Sequence, residues 1–215
     1  MNLVNPCQDR YATNKMLDNV YKLLENRRHA QHSVPRRQFM IDILRTRRSI
    51  RKYEKKAIDN TSFEILKEAL LRCPSSRGIN PWMFIFVDDN QLLDRLSLAK
   101  EHGASFLKDA ALGIVVCGDD TKSDVWVEDC SIASIVVQLT AQSLGFGSCW
   151  VQIRKRSHSK DKTAEEYVQE LLGIPQHMKV ESIISIGYPK ETKKPIPREK
   201  LEFNKIRYNT YEKKE

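Results

Sequence analysis

Residues 127–153 read VEDCSIASIVVQLTAQSLGFGSCWVQI. Over 127–144 apolar side chains recur at helical spacing and cover nearly every side: Ile132, Ala133, Ile135, Val136, Val137, Leu139, Ala141 and Leu144. A helix apolar all round must be covered all round, by the core or by a partner subunit. Gly145 and Gly147 follow it, and GSCWVQI at 147–153 is an apolar run of strand length. A dinucleotide-binding glycine loop needs a strand before it, a helix after it and a third glycine. Here the order is reversed, so that reading is rejected. The glycines instead end the helix and let a backbone pass close to something flat.

The same alternation extends in both directions. Upstream, the spacing predicts helices over 13–28, 37–46, 61–72 and 91–100, with HAQHSVPRR as a linker between the first two. Asn60 or Thr61 is expected to cap the third of these, with Glu64 in its first turn. WMFIFV (82–87) and ALGIVVCG (111–118) read as buried strands. Downstream, a helix over 164–172 is stopped by Gly173 and Pro175, and VESIISIGY (180–188) is a fourth strand. The tail KKPIPREKLEFNKIRYN has no strong periodicity. Strands alternating with helices give a three-layer α/β or α+β arrangement around one sheet. From Met40 onward the chain would make a domain by itself. Residues 1–39 then read as an extra amphipathic helix on the body or an appended arm, with Met40 as a possible alternative start.

Forty per cent of the 215 residues are hydrophobic, enough for a real core. No apolar run approaches the roughly 20 residues of a membrane span. The N-terminus lacks the apolar stretch of a secretory signal, which places the protein in the cytoplasm. The five cysteines, Cys7, Cys73, Cys117, Cys130 and Cys149, are odd in number and have no metal-ligand spacing, so neither a disulfide framework nor a metal site is expected. Cys117 and Cys149 read as small buried hydrophobes. The net charge is +8, but eleven Lys and Arg against four acidic residues in 1–51 account for +7 of it. A basic stripe interleaved with aromatics is missing, which argues against nucleic acid as a partner.

Two further segments carry chemistry-bearing residues. Arg47-Arg48-Ser49-Ile50-Arg51 follows an amphipathic helix and sets three guanidiniums and a hydroxyl within five positions. Arginine forks suit phosphate, although basic residues also favour a helix C-terminus for its dipole alone. Pro74-Ser75-Ser76-Arg77-Gly78-Ile79-Asn80-Pro81-Trp82 lies between a helix and a strand and can present hydroxyls, amides and Asn80 to a flat polar ligand. Turns use the same residues without any ligand.

RRSIR, then PSSxxxNPW, then GFGSCW, then IGYP and a basic tail together resemble the nitroreductase family of FMN-dependent oxidoreductases, over about residues 38–205. The WVQIR at 150–154 is similar to one bacterial and archaeal branch. The resemblance implies an α+β, three-layer α/β/α fold with a central mixed, mainly antiparallel sheet, in a domain-entwined homodimer. It implies an N-terminal extension over 1–38, an FMN-binding domain over 39–205 and a tail over 206–215.

The resemblance also assigns roles. Arg47, Arg48, Ser49 and Arg51 would hold the FMN phosphate, ribityl chain and one ring edge. Pro74, Ser75, Ser76 and Asn80 would pack on the flavin from the other subunit. Ser148, Trp150, Val151 and Gln152 would lie against the ring. A basic tail residue, Arg198 or else Lys194, would complete the phosphate site. No side chain need act as acid, base or nucleophile, since the chemistry is carried at flavin N5. NADH or NADPH would be the donor and a nitroaromatic, quinone or similar small molecule the acceptor, in ping-pong order. Arg51 is the candidate charge for stabilising the reduced flavin. The family often carries Asn where this chain has Gly78 and Gln where it has Asn80, departures that bear on substrate range. Two rivals remain: a non-nitro flavin reaction on the same scaffold, such as dehalogenation or ene reduction, and a flavin- or nucleic-acid-binding protein without turnover. Arg154-Lys155-Arg156 reads as a solvated loop or a 2′-phosphate site, and the histidines read as surface residues.

Overall fold

A computed structural model describes residues 40–211. Four strands form one sheet in the order β1-β2-β4-β3: β1 (Trp82–Val87), β2 (Leu112–Asp119), β3 (Gly147–Gln152) and β4 (Met178–Gly187). All three pairings are antiparallel. The parallel element among the described residues is an isolated bridge between Ser49 and Ser148.

The two central strands are buried along their length, apart from a half-buried Lys179. Alternation explains why both faces need cover. Leu112, Ile114 and Val116 of β2, with Ile184 and Ile186 of β4, meet Leu66, Leu70, Ala133, Val137 and Ala141. These come from α2 (Asn60–Leu71) and α4 (Trp126–Ser143). Val115, Cys117, Val151 and Ile183 face the opposite way, onto Leu93, Leu96, Leu107 and Val168. Those belong to α3 (Asn90–Leu96), a 3-10 turn (Ser105–Asp109) and α5 (Ala164–Leu172). Three layers result, with one core on each side of the sheet.

The helix stops follow local chemistry. α4 ends in a paired motif: Gly145 N–H donates to Gln142 and Phe146 N–H to Ala141, with Gly145 at φ +85°. α5 opens with the reciprocal Thr163–Glu166 capping box and closes at left-handed Gly173. Cys117 and Cys149 are buried as expected.

Several expectations are corrected. The cap of α2 is Asp59, whose carboxylate accepts the Ser62 N–H at 2.9 Å; the helix begins at Asn60, so Glu64 falls beyond its first turn. β1 is an edge strand and only half-buried, with Met83 57% exposed. A continuous apolar run does not tell an edge strand from a central one. α3 stops at Leu96 rather than near Lys100. For α4 the expectation allows cover by the core or by a partner subunit: within one chain it buries Asp129, Cys130, Ala133, Ser134, Val137, Gln138 and Ala141, and Ile132 and Ile135 stay 40% and 39% exposed. The expected second helix is seen from Met40 as α1 (Met40–Thr46). The helix over 13–28, the linker and the remainder of the N-terminal extension lie outside the described residues. Among the described residues no helix is long and apolar enough to cross a membrane.

Candidate functional site

The arginine-rich segment is fastened to the start of β3. Arg47 N–H still donates to Ile43 of α1 at 2.8 Å, after which the chain extends. Ser49 then bridges Ser148, and Ile50 N–H donates to the Ser148 carbonyl at 3.0 Å. Ile50 is buried and packs against Gly147, where an added Cβ would stand 2.8 Å from the Ile50 Cβ. The second glycine of GFG therefore makes room for the anchor of RRSIR, rather than for a flat ligand. Below this, the buried Tyr53 hydroxyl donates to the Ile50 carbonyl at 2.6 Å and meets Ser185 Oγ at 2.7 Å. Burial pushes the Tyr53 phenol above its ordinary range, so it stays a neutral donor.

The tail returns to the same place. Glu191 Oε1 accepts the Arg51 N–H at 2.6 Å, and Lys193 Nζ donates to the Ser49 carbonyl at 2.6 Å and lies 3.3 Å from Glu191. The Arg51 amide holds the Glu191 carboxyl below the usual range. Lys193 and Glu191 are residues that sequence reasoning missed. Lys194 and Arg198, chosen instead, are exposed, and the Arg198 guanidinium lies 5.7 Å from the Phe203 ring centroid.

Charge in this cluster is unbalanced. Arg47 and Arg48 are half-buried, yet among the described residues neither has a carboxylate partner. The Arg51 guanidinium lies 5.7 Å from the Phe106 ring centroid. The thiol of Cys149, beneath them, is raised by burial, an effect opposed by Arg51, the Ser49 hydroxyl, Lys193 and Arg47. Half-buried guanidiniums without a counterion are costly, and a phosphate with two or three free oxygens would satisfy them bidentately.

Along β3, side chains alternate as strand geometry requires. Trp150 packs with the α2/α4 core, and its indole N–H donates to Gln152 Oε1 at 2.8 Å. Val151 is buried in the opposite core, so only its backbone can meet a ligand. Ser148 is buried at the RRSIR end.

The 74–80 loop lies elsewhere. Ser75 Oγ donates to Asn80 Oδ1 at 2.7 Å and accepts the Asn80 N–H at 2.9 Å, a clamp across the loop. Arg77, Gly78 and Asn80 adopt φ of 55°, 66° and 52°. Gly and Asn are the residues that tolerate this region best, so Gly78 preserves the backbone that Asn would also adopt. Ser76 N–H donates to Asp129 at 2.8 Å, in the first turn of α4, and Arg77 pairs with Asp124. Pro74 is exposed. The loop thus sits by the N-terminus of α4, whereas RRSIR sits beyond its C-terminus. Eighteen helical residues separate them by about 27 Å. One chain does not bring the two motifs together.

Asp129 is 2% exposed, and its second oxygen has no partner. Asp129→Ala leaves the Ser76 amide unsatisfied and should cost about 1–3 kcal/mol. Urea unfolding should show the lower midpoint, with Asp129→Asn recovering most of it.

Residues 40–215 match the family described as "Putative TM nitroreductase". A solved FMN-dependent nitroreductase from Clostridium difficile is 42% identical, with a TM-score of 0.79 over 80% of this chain and 99% of that one. An Archaeoglobus fulgidus protein named "Putative NADH dehydrogenase/NAD(P)H nitroreductase" is 38% identical over 71% of this chain and 87% of its own length. One of the same name from Methanothermobacter thermautotrophicus is 34% identical over 71% and 78%.

Proposed function

The chain belongs to the nitroreductase family, and from that premise we propose that it is an FMN-dependent oxidoreductase moving electrons from NADH or NADPH to a nitroaromatic, a quinone or a similar small acceptor. The observation that carries this reading is the pair of half-buried guanidiniums of Arg47 and Arg48, which have no carboxylate partner among the described residues and stand beside Ser49 and Ser148.

The bound flavin would supply hydride acceptance and donation. The protein's part is to hold, orient and tune it. Arg47 and Arg48 would meet the phosphate as forks, and Ser49 would offer its hydroxyl. Lys193, anchored on the Ser49 carbonyl, adds positive charge in place of Lys194 or Arg198. Arg51, its backbone fixed by Glu191, would place positive charge beside the flavin and tune its reduction. Ser148, Trp150, Gln152 and the Val151 backbone would line the ring.

Pro74, Ser75, Ser76 and Asn80 complete the site from a second copy. The distance along α4 supports this, since two copies packed antiparallel along α4 about a two-fold axis would set one copy's loop beside the other's RRSIR. The exposed apolar residues Met40, Ile41 and Leu44 of α1, with Ile132 and Ile135 of α4, supply surface for such a dimer. Residues 39–205 form the FMN-binding domain, preceded by the 1–38 extension and followed by a tail. The four cysteines among the described residues are buried free thiols, which suit a reducing, cytoplasmic setting.

Steady-state kinetics test the reaction order. Varying NADPH at several fixed concentrations of a quinone should give parallel reciprocal plots, as one site used alternately requires; intersecting lines would contradict it. Arg51→Ala should retain FMN but lower its midpoint potential, read by dye equilibration. An unchanged potential removes Arg51 from that role.

A further inference from the structure

β4 is irregular where β3 ends. β2 pairs Val116 with Ser182 and Cys117 with Val180, so Glu181 is an extra residue without a partner on that edge. Bulges re-aim side chains and recur beside functional sites. The Glu181 carbonyl accepts the N–H groups of Ile153 at 3.2 Å and Arg154 at 3.1 Å. The residue is 4% exposed. Gln152 Nε2 stands 3.2 Å from both the Glu181 carbonyl and Oε1, and 3.3 Å from the Arg154 carbonyl. Gln152 Oε1 in turn accepts the Trp150 indole N–H. The other carboxylate oxygen, Oε2, is buried with no hydrogen-bond partner. Arg154 Nε stops 3.9 Å from it, with its guanidinium 5.7 Å from the Trp126 ring centroid. Packing alone does not account for a buried carboxylate whose second oxygen has a 3.9 Å ion pair but no hydrogen bond, which costs stability.

We propose that Glu181 is a positioning residue for the ring-facing strand: it fixes the Gln152 side chain, through it the Trp150 indole, and ties their geometry to one proton on its own carboxyl group. The link to turnover rests on the assignment of Trp150 and Gln152 to the flavin under the proposed function; the proton-linked geometry itself does not.

The neutral acid accepts from Gln152 through Oε1 and carries its proton on the orphan Oε2. The carboxylate exposes a full charge at Oε2, strengthens the pull on Gln152 and draws on Arg154, which stands between Glu181 and Trp126. The groups facing Glu181 are Gln152 and Arg154 from the end of β3, Glu128 and Cys130 from α4, and Glu165 from α5, whose own carboxylate accepts the Val180 N–H. Burial raises the Glu181 carboxyl above its ordinary range; Gln152 and Arg154 oppose this, and Glu128 and Glu165 add to it. The native state therefore binds this proton more tightly than the unfolded chain. The stability that it confers is present at acid pH and is lost as pH rises through the folded-state titration.

Glu181→Gln mimics the neutral acid without the proton. The first readout is the Trp150 indole N–H resonance of the purified protein, assigned with Trp150→Phe and followed against pH. In the wild type it should titrate once, above the usual carboxylate range. In Glu181→Gln it should be flat, and in Glu165→Gln it should persist. A flat wild-type profile, or a titration that survives Glu181→Gln, overturns the proposal. Neither result depends on flavin, so a protein that failed to bind FMN would refute the proposed function and leave this test intact. With FMN bound, the rate of reduction by NADPH should show an inflection at the same pH, absent in Glu181→Gln, with FMN affinity within about twofold of wild type. An inflection unchanged in the variant overturns the link to turnover. The difference in thermal midpoint should move in favour of Glu181→Gln as pH rises; movement the other way contradicts the assigned direction.

Discussion

Replacing Arg47 and Arg48 together with alanine should give a folded protein that no longer retains FMN. Each guanidinium is expected to make charge-assisted hydrogen bonds worth about 1.5–3 kcal/mol to the phosphate. With 1.4 kcal/mol per decade, loss of one arginine should weaken FMN binding about 10- to 100-fold. The pair should cost more than either alone, although not additively, because both would meet one phosphate. The flavin-free protein offers the discriminating comparison. Neither arginine has a carboxylate partner among the described residues, so their removal should leave its urea midpoint unchanged or slightly raised. A structural role predicts the reverse, a lower midpoint with affinity lost only in proportion. Arg48→Lys keeps the charge without the fork and should fall between wild type and alanine.

Gly147→Ala should damage both stability and cofactor retention. The added methyl would stand 2.8 Å from Ile50 Cβ and Cγ2 and 2.9 Å from Cγ1. Overpacking of this kind costs about 1–3 kcal/mol. Ile50 cannot retreat freely, because its carbonyl holds the Tyr53 hydroxyl and its amide holds Ser148. Relief must come by moving the strand that carries Ser49 and Arg51, so FMN affinity should fall with the unfolding midpoint. Adding Ile50→Ala removes the two Cγ contacts but leaves Cβ, and should restore stability only in part. Unchanged stability in Gly147→Ala would mean that the RRSIR segment is not seated as described.

The residues differ in how openly the sequence declares them. Thr163, Glu166 and Gly173 mark both ends of α5, because a cap is a local contract between neighbours. At α2 the run Asp59-Asn60-Thr61-Ser62 offers four capping residues in a row, and the folded backbone with its Ser62 N–H to Asp59 hydrogen bond singles out Asp59. β1 carries as apolar a sequence as β2, yet its neighbours place it at the edge. RRSIR stands out in the sequence by its three guanidiniums and a hydroxyl within five positions. Its tail partners do not: Arg51 meets Glu191 and Ser49 meets Lys193 across about 140 residues, and nothing local separates Lys193 from Lys194. Glu181 lay hidden in an apolar strand, since a bulge depends on how two strands register and not on either one alone.

The central claim, an FMN that cycles between a nicotinamide donor and an acceptor, is met most directly by an anaerobic absorbance spectrum of the purified protein before and after adding NADPH. The expected result is a yellow protein with the two absorbance bands of oxidised flavin, which bleach on NADPH and return when a quinone is added. A colourless protein that also refuses added FMN, or a bound flavin that neither NADPH nor NADH reduces, would contradict it.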